Sequence, residues 1–74
     1  MNNIHGTIRT YHKHPDCVAG GIMSDNLKNM ETSVSDPHVV TVVCGNKFRS
    51  IIASVDDYLM NLAIAEDICC YVLN

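Results

Sequence analysis

The side chains best able to do chemistry lie in two short stretches of the chain. His12, His14 and Cys17 fall within six residues and offer the nitrogen and sulfur donors that zinc accepts. A structural zinc site asks for four ligands, so His5, His38 or another subunit would have to complete the set. The alternative is a polar loop in which His14 caps the helix that follows, and no metal site is assigned. In the second stretch, Lys47 and Arg49 stand where a long helix begins, and positive charge there opposes the helix dipole. Helix N-terminal N–H groups with two cations, and Ser50 as a further donor, suit a phosphate. Solvated surface cations are the plainer reading of the same residues. Arg9, Lys13 and Lys28 join such a site only if folding or dimerisation gathers them.

Catalytic arrangements are not found in the sequence. It has no Gly-flanked Ser, no Gly-rich phosphate loop and no His-Glu metal motif, so no catalytic residue and no cofactor are assigned. Asp56-Asp57 and Glu66-Asp67 resemble acid pairs, but neighbours on a helix point about 100° apart. They read as a solvated face.

Length and composition bound what can position these residues. Seventy-four residues make one domain, spanning 1–74, with a core too small to be comfortable. Chains of this size usually gain stability from disulfides, a metal, oligomerisation or unusually good packing. At 47% hydrophobic and 18% charged residues the chain is too apolar for disorder. Asp56, Asp57, Glu66 and Asp67 interrupt its most apolar stretch, which argues against a membrane span. A net charge of −3 leaves no strongly basic surface, so any role with RNA must be local or shared. No leader-like segment opens the chain, and Cys69 and Cys70 are neighbours that cannot bridge each other without strain. The expectation is a reduced, cytoplasmic protein in which Cys44, Cys69 and Cys70 are small buried hydrophobes.

Periodicity predicts the element order strand, helix, strand, strand, helix. Ile4 and Ile8 keep a period of two in a strand over 4–11. Pro15 and Asp16 suit a first helical turn, and Val18, Ala19, Ile22 and Met23 recur at helical spacing. Gly20 and Gly21 weaken that helix or let it pack closely. Ser24, Asp25 and Asn26 form a polar turn before a strand over 30–35, and Asp36-Pro37 supplies a tight turn. The run from His38 to Cys44 is apolar on both faces, with Val40, Val42 and Cys44 on one and Val39 and Val43 on the other, as a central strand requires. Asn46 is the expected N-cap of a helix from Lys47 to Leu73. The resulting α+β fold is a three-stranded antiparallel sheet, third strand in the middle, with two helices on one face, a KH-like arrangement.

The long helix carries more apolar surface than one sheet can cover. Phe48, Ile51, Ile52, Val55, Leu59, Leu62, Ala63, Cys69, Cys70 and Leu73 form a broad face expected to pack on the sheet. Met60, Ile64, Ile68 and Tyr71 form a second stripe roughly opposite. Either the short helix covers that stripe or another chain does. Leaving four such side chains exposed forgoes on the order of 6–12 kcal/mol, at about 1.5–3 kcal/mol each. Val39 and Val43 are expected to face away from the helices and to serve a homodimer through the sheet.

This order of elements resembles the CTAG/Pcc family, the small subunit of the KEOPS complex. The resemblance covers most of the chain, including the turn Met23-Ser24-Asp25-Asn26-Leu27, where the family often has Pro in place of Ser24. It is most specific over Phe48-Arg49-Ser50-Ile51-Ile52-Ala53-Ser54-Val55-Asp56-Asp57-Tyr58-Leu59, which is similar to the family's Arg-Ser step, apolar pair, and small-Ser-apolar-Asn/Asp-x-x-Leu pattern. The resemblance implies a non-catalytic, archaeal-type subunit that homodimerises and offers helices to the catalytic threonylcarbamoyltransferase subunit. That complex installs threonylcarbamoyladenosine beside the anticodon of tRNA. Met60, Ile64, Ile68 and Tyr71 would form the helical interface, and Lys47, Arg49, Ser50, Arg9 and Lys13 the tRNA phosphate contacts. An autonomous KH-like RNA-binding module is the competing reading, weakened by the absence of a Gly-x-x-Gly loop.

Overall fold

In the computed structural model, residues 3–23 and 29–73 are described, the side chain of Leu73 excepted. The expected turn at Ser24, Asp25 and Asn26, with Leu27 and Lys28, lies outside the described residues. The elements follow the predicted order: β1 (Ile4–Tyr11), α1 (Pro15–Met23), β2 (Met30–Ser35), β3 (His38–Gly45) and α2 (Phe48–Leu73). The sheet runs β1-β3-β2, with β3 antiparallel to both neighbours and both helices packed on one face. Pro15 opens α1 without costing a hydrogen bond, because first-turn N–H groups have no partner within the helix. The backbone carbonyl of His14 accepts from Val18 N at 3.1 Å, so His14 caps α1 through its backbone.

Two expected faces are corrected. Val39 and Val43 do not face away from the helices: they are buried beneath them with Thr41, while Val42 is exposed on the opposite face with Val40 and Cys44 beside it. A polar residue occupies the centre of the inward row because its hydroxyl is satisfied there. Thr41 Oγ1 shares hydrogen bonds with Tyr58 Oη at 2.6 Å and Thr32 Oγ1 at 2.8 Å. On α2 the buried residues are Ile51, Tyr58, Leu62, Ala65 and Cys69, whereas Phe48, Ile52 and Leu59 are 66%, 47% and 44% exposed. The sheet-facing row is thus turned away from the side that carries the most apolar bulk.

The cysteines are also corrected. Cys17 and Cys69 form a disulfide that joins α1 to the last turns of α2, so they are neither a metal ligand nor a free hydrophobe. Cys44 and Cys70 are free and half-buried. A disulfide is one of the devices by which a small chain gains stability, and this fold has it. It closes a span of 52 residues.

Candidate functional site

The surface of α2 is the candidate site, and it is built by how the helix is held. Its first half rests on the sheet. Gly45 lets β3 pass under the helix start: a Cβ there would lie 3.2 Å from Ile51 Cγ1. Tyr58 then drops its hydroxyl onto Thr41, and burial pushes the Tyr58 phenol above its usual range, partly offset by the Thr41 hydrogen bond. The second half is held by α1 and by the segment after β1. Ala65 meets Gly21, Cys69 is bonded to Cys17, and Glu66 accepts a hydrogen bond from His12 Nδ1. That histidine is buried, its Nε2 shares a 2.6 Å hydrogen bond with Thr10 Oγ1, and Thr10 Oγ1 also lies 3.4 Å from the Val39 carbonyl. The Cys70 thiol donates to the other Glu66 oxygen at 3.5 Å. Burial, followed by the hydrogen bond and charge of Glu66, raises the pKa of that thiol.

Held this way, α2 leaves its second stripe uncovered. Met60, Ile64, Ile68 and Tyr71 are 59%, 53%, 57% and 90% exposed, so α1 does not bury them. Instead α1 runs alongside, and a groove lined by Cys17, Gly21, Asn61, Ile64, Ala65, Ile68 and Cys69 opens between the helices. Asp57 and Asp67 are exposed and lie one helical turn from Met60 and Ile64 respectively. No cation follows Arg49 anywhere in the helix. The stripe is therefore apolar with acidic flanks.

The cations fall in separate places. Helix α2 begins at Phe48, one residue later than expected, and the Lys47 carbonyl accepts from Ile51 N at 3.2 Å. Lys47 rather than Asn46 thus holds the cap position, and its side chain has no acceptor for the first-turn N–H groups. Lys47, Arg49 and Ser50 are all exposed at this end, and the first turn contains no acid. Arg9 lies elsewhere, on the outer face of the sheet opposite Val40. Lys13 lies at the far end of β1, beside a cleft formed with His14, Asp16, Cys17 and Asp36. One copy of the chain therefore brings together three of the five proposed phosphate contacts.

His12, His14 and Cys17 do not converge, since His12 turns to Glu66, Cys17 is bonded to Cys69, and His14 Nε2 is buried without a partner. No three His, Cys, Asp or Glu side chains form a metal-binding group among the described residues. Sequence reasoning missed Thr10-His12-Glu66, a hydroxyl–imidazole–carboxylate series in the order used for acyl transfer. The clefts lined by Cys17 and Ile64, by Lys13 and Asp36, and by His5 and Val42 do not include any of the three. The series acts as a tie between β1 and α2. It links residues 54 apart, and no local pattern announces it.

No protein-family profile, curated protein or solved structure matches the chain. No helix among the described residues is long and apolar enough to cross a membrane.

Proposed function

We propose that the chain is a non-catalytic interaction subunit of the KEOPS type, which homodimerises, binds the threonylcarbamoyltransferase subunit through α2 and assists tRNA binding. The observation that carries this reading is the uncovered stripe of Met60, Ile64, Ile68 and Tyr71 on a helix already anchored by its opposite face. A helix with two apolar sides needs two partners, and the sheet is only one of them. Helix-in-groove docking, with anchors at i, i+4, i+8 and i+11, is the mode such a stripe serves. Exposed Lys47, Arg49 and Ser50 at the start of α2 support contact with the tRNA backbone. A cytoplasmic location belongs to the same reading. The Cys17–Cys69 bond is compatible with it for an archaeal-type protein, because intracellular disulfides are common in hyperthermophilic archaea.

Mixing the purified chain with the purified threonylcarbamoyltransferase subunit tests the reading. A complex that co-elutes and raises threonylcarbamoyladenosine formation is expected. Separate elution together with unchanged modification would contradict it.

A further inference from the structure

The last two turns of α2 depend on one covalent bond. Among residues 67–72, Cys69 is the one buried residue, and it is the residue bonded to Cys17. The tie before it along the helix is Glu66 to His12. Local sequence gives this end little support, because Ile68, Cys69, Cys70, Tyr71 and Val72 are weak helix formers. The last turn contains no basic residue of its own to complement the helix dipole. Positive charge reaches it from Lys13, in the segment after β1. Yet this end carries Ile68 and Tyr71, half of the exposed stripe.

The bond is also within reach of a thiol. Cys69 is 3% exposed, but Cys17 is half-buried and borders two openings, the α1–α2 groove and a cleft shared with Lys13, His14 and Asp36. That cleft is lined by Cys17 and not by Cys69, so a thiolate entering there meets the Cys17 sulfur first. The neighbouring Cys70 is poorly suited to attack the bond from within. Burial and its hydrogen bond to Glu66 hold it as the thiol, and the thiolate is the nucleophile. The bond is therefore left to answer to thiols from outside the chain.

We propose that the Cys17–Cys69 bond is a redox latch, opened by a dithiol reductant, that sets the length of the docking stripe on α2. One thiolate of the dithiol attacks Cys17 Sγ, the S–S bond breaks, and Cys69 leaves as a thiolate that takes up a proton. The second thiol of the reductant then displaces Cys17, so both cysteines end as thiols and the reductant as a disulfide. Closed, the latch fixes α2 through Cys69 and presents Met60, Ile64, Ile68 and Tyr71 together. Open, the helix is fixed only as far as Glu66, and Ile68 and Tyr71 drop out of the stripe. The rest of the fold has other supports. Val18, Ala19 and Ile22 keep α1 in the core, while the Tyr58–Thr41 and His12–Glu66 bonds keep α2 seated. The latch rests on the reading of α2 as a partner-binding helix and adds what regulates it.

Dithiothreitol treatment of the intact chain, followed by alkylation, mass measurement and amide exchange, tests the latch without a partner. Cys17 and Cys69 should become alkylated, with amide protection lost over 67–73 and kept over 51–58. A bond that resists dithiothreitol in the folded chain, or protection over 67–73 that survives reduction, would overturn the latch. Loss of protection over 51–58 as well would also overturn it, since the chain has then unfolded. Titration against the threonylcarbamoyltransferase subunit reads the consequence. Affinity should fall at least about tenfold on reduction, the cost of re-ordering the last turn, and Tyr71→Ala should weaken binding by the oxidised chain but not by the reduced one. Equal affinity in both redox states overturns the latch and leaves the proposed function intact. A subunit that binds neither state contradicts the proposed function, and the latch then stands or falls on the alkylation and exchange results.

Discussion

The two halves of α2 are fixed by different physics. From Ile51 to Tyr58 the helix is seated on the sheet by packing and by the Tyr58–Thr41–Thr32 hydroxyl chain. From Leu62 onward it is held by discrete ties to sequence-distant residues: the disulfide to Cys17, the carboxylate bond to His12, and the close approach of Ala65 to Gly21. The difference shows how a small chain can leave a helix face exposed. Packing consumes apolar surface, whereas crosslinks secure the second half and leave Met60, Ile64, Ile68 and Tyr71 available to a partner.

The comparison breaks most sharply at the disulfide. On a loop-closure estimate for a loop of this size, losing Cys17–Cys69 costs about 4 kcal/mol, against about 4–11 kcal/mol for a whole domain of this length. Urea midpoints with and without dithiothreitol should show that loss. Amide exchange after reduction should accelerate in residues 62–73 more than in 51–58. Equal acceleration in both halves would remove the distinction.

The next largest effect is expected at Glu66. Glu66→Ala leaves the buried His12 Nδ1 without its acceptor, a cost of about 1–3 kcal/mol. Replacing both His12 and Glu66 should cost less than the sum of the single changes, as a double-mutant cycle would report. Full additivity would mean that the two side chains do not act as a tie.

Tyr58→Phe probes the first half and is the gentlest change. Thr41 keeps Thr32 as a partner, so the loss should be about 0.5–1.5 kcal/mol near neutral pH. Burial raises the phenol pKa in the folded chain. The stabilisation is therefore complete below about pH 10, the unfolded value, and declines as pH rises through the folded value, because the unfolded chain ionises first. The stability gap between wild type and Tyr58→Phe should shrink above that pH. A gap that widens would contradict the assignment.

The order of elements, their bounds to within a residue, and the central place of β3 were legible in the sequence. Period-two and helical repeats, with Pro15 and Asp36-Pro37 as punctuation, carry that information. The inward face of β3 was not legible, because valines line both sides and the deciding residue, Thr41, is polar. Only Tyr58 and Thr32, brought in by the fold, make it a core residue. The seat of α2 follows Ile51, Val55, Tyr58, Leu62, Ala65 and Cys69 in alternating steps of four and three. A weighting by hydrophobic bulk overlooks Tyr58 and Ala65 and favours Phe48, Ile52 and Leu59. The exposed stripe of the candidate site was readable, since its helical spacing needs no tertiary information. The disulfide and the His12–Glu66 bond were not, because cysteine connectivity and distant polar pairs depend on the finished topology.

The claim that α2 turns this stripe toward another protein is tested most directly by titrating the threonylcarbamoyltransferase subunit with wild-type chain and with Ile64→Asp. A charge placed at a site 53% exposed in the single chain should leave helix content and urea midpoint near wild type. Affinity for the subunit should fall at least about tenfold, the equivalent of 1.4 kcal/mol. Unchanged affinity in a folded Ile64→Asp protein would contradict the account.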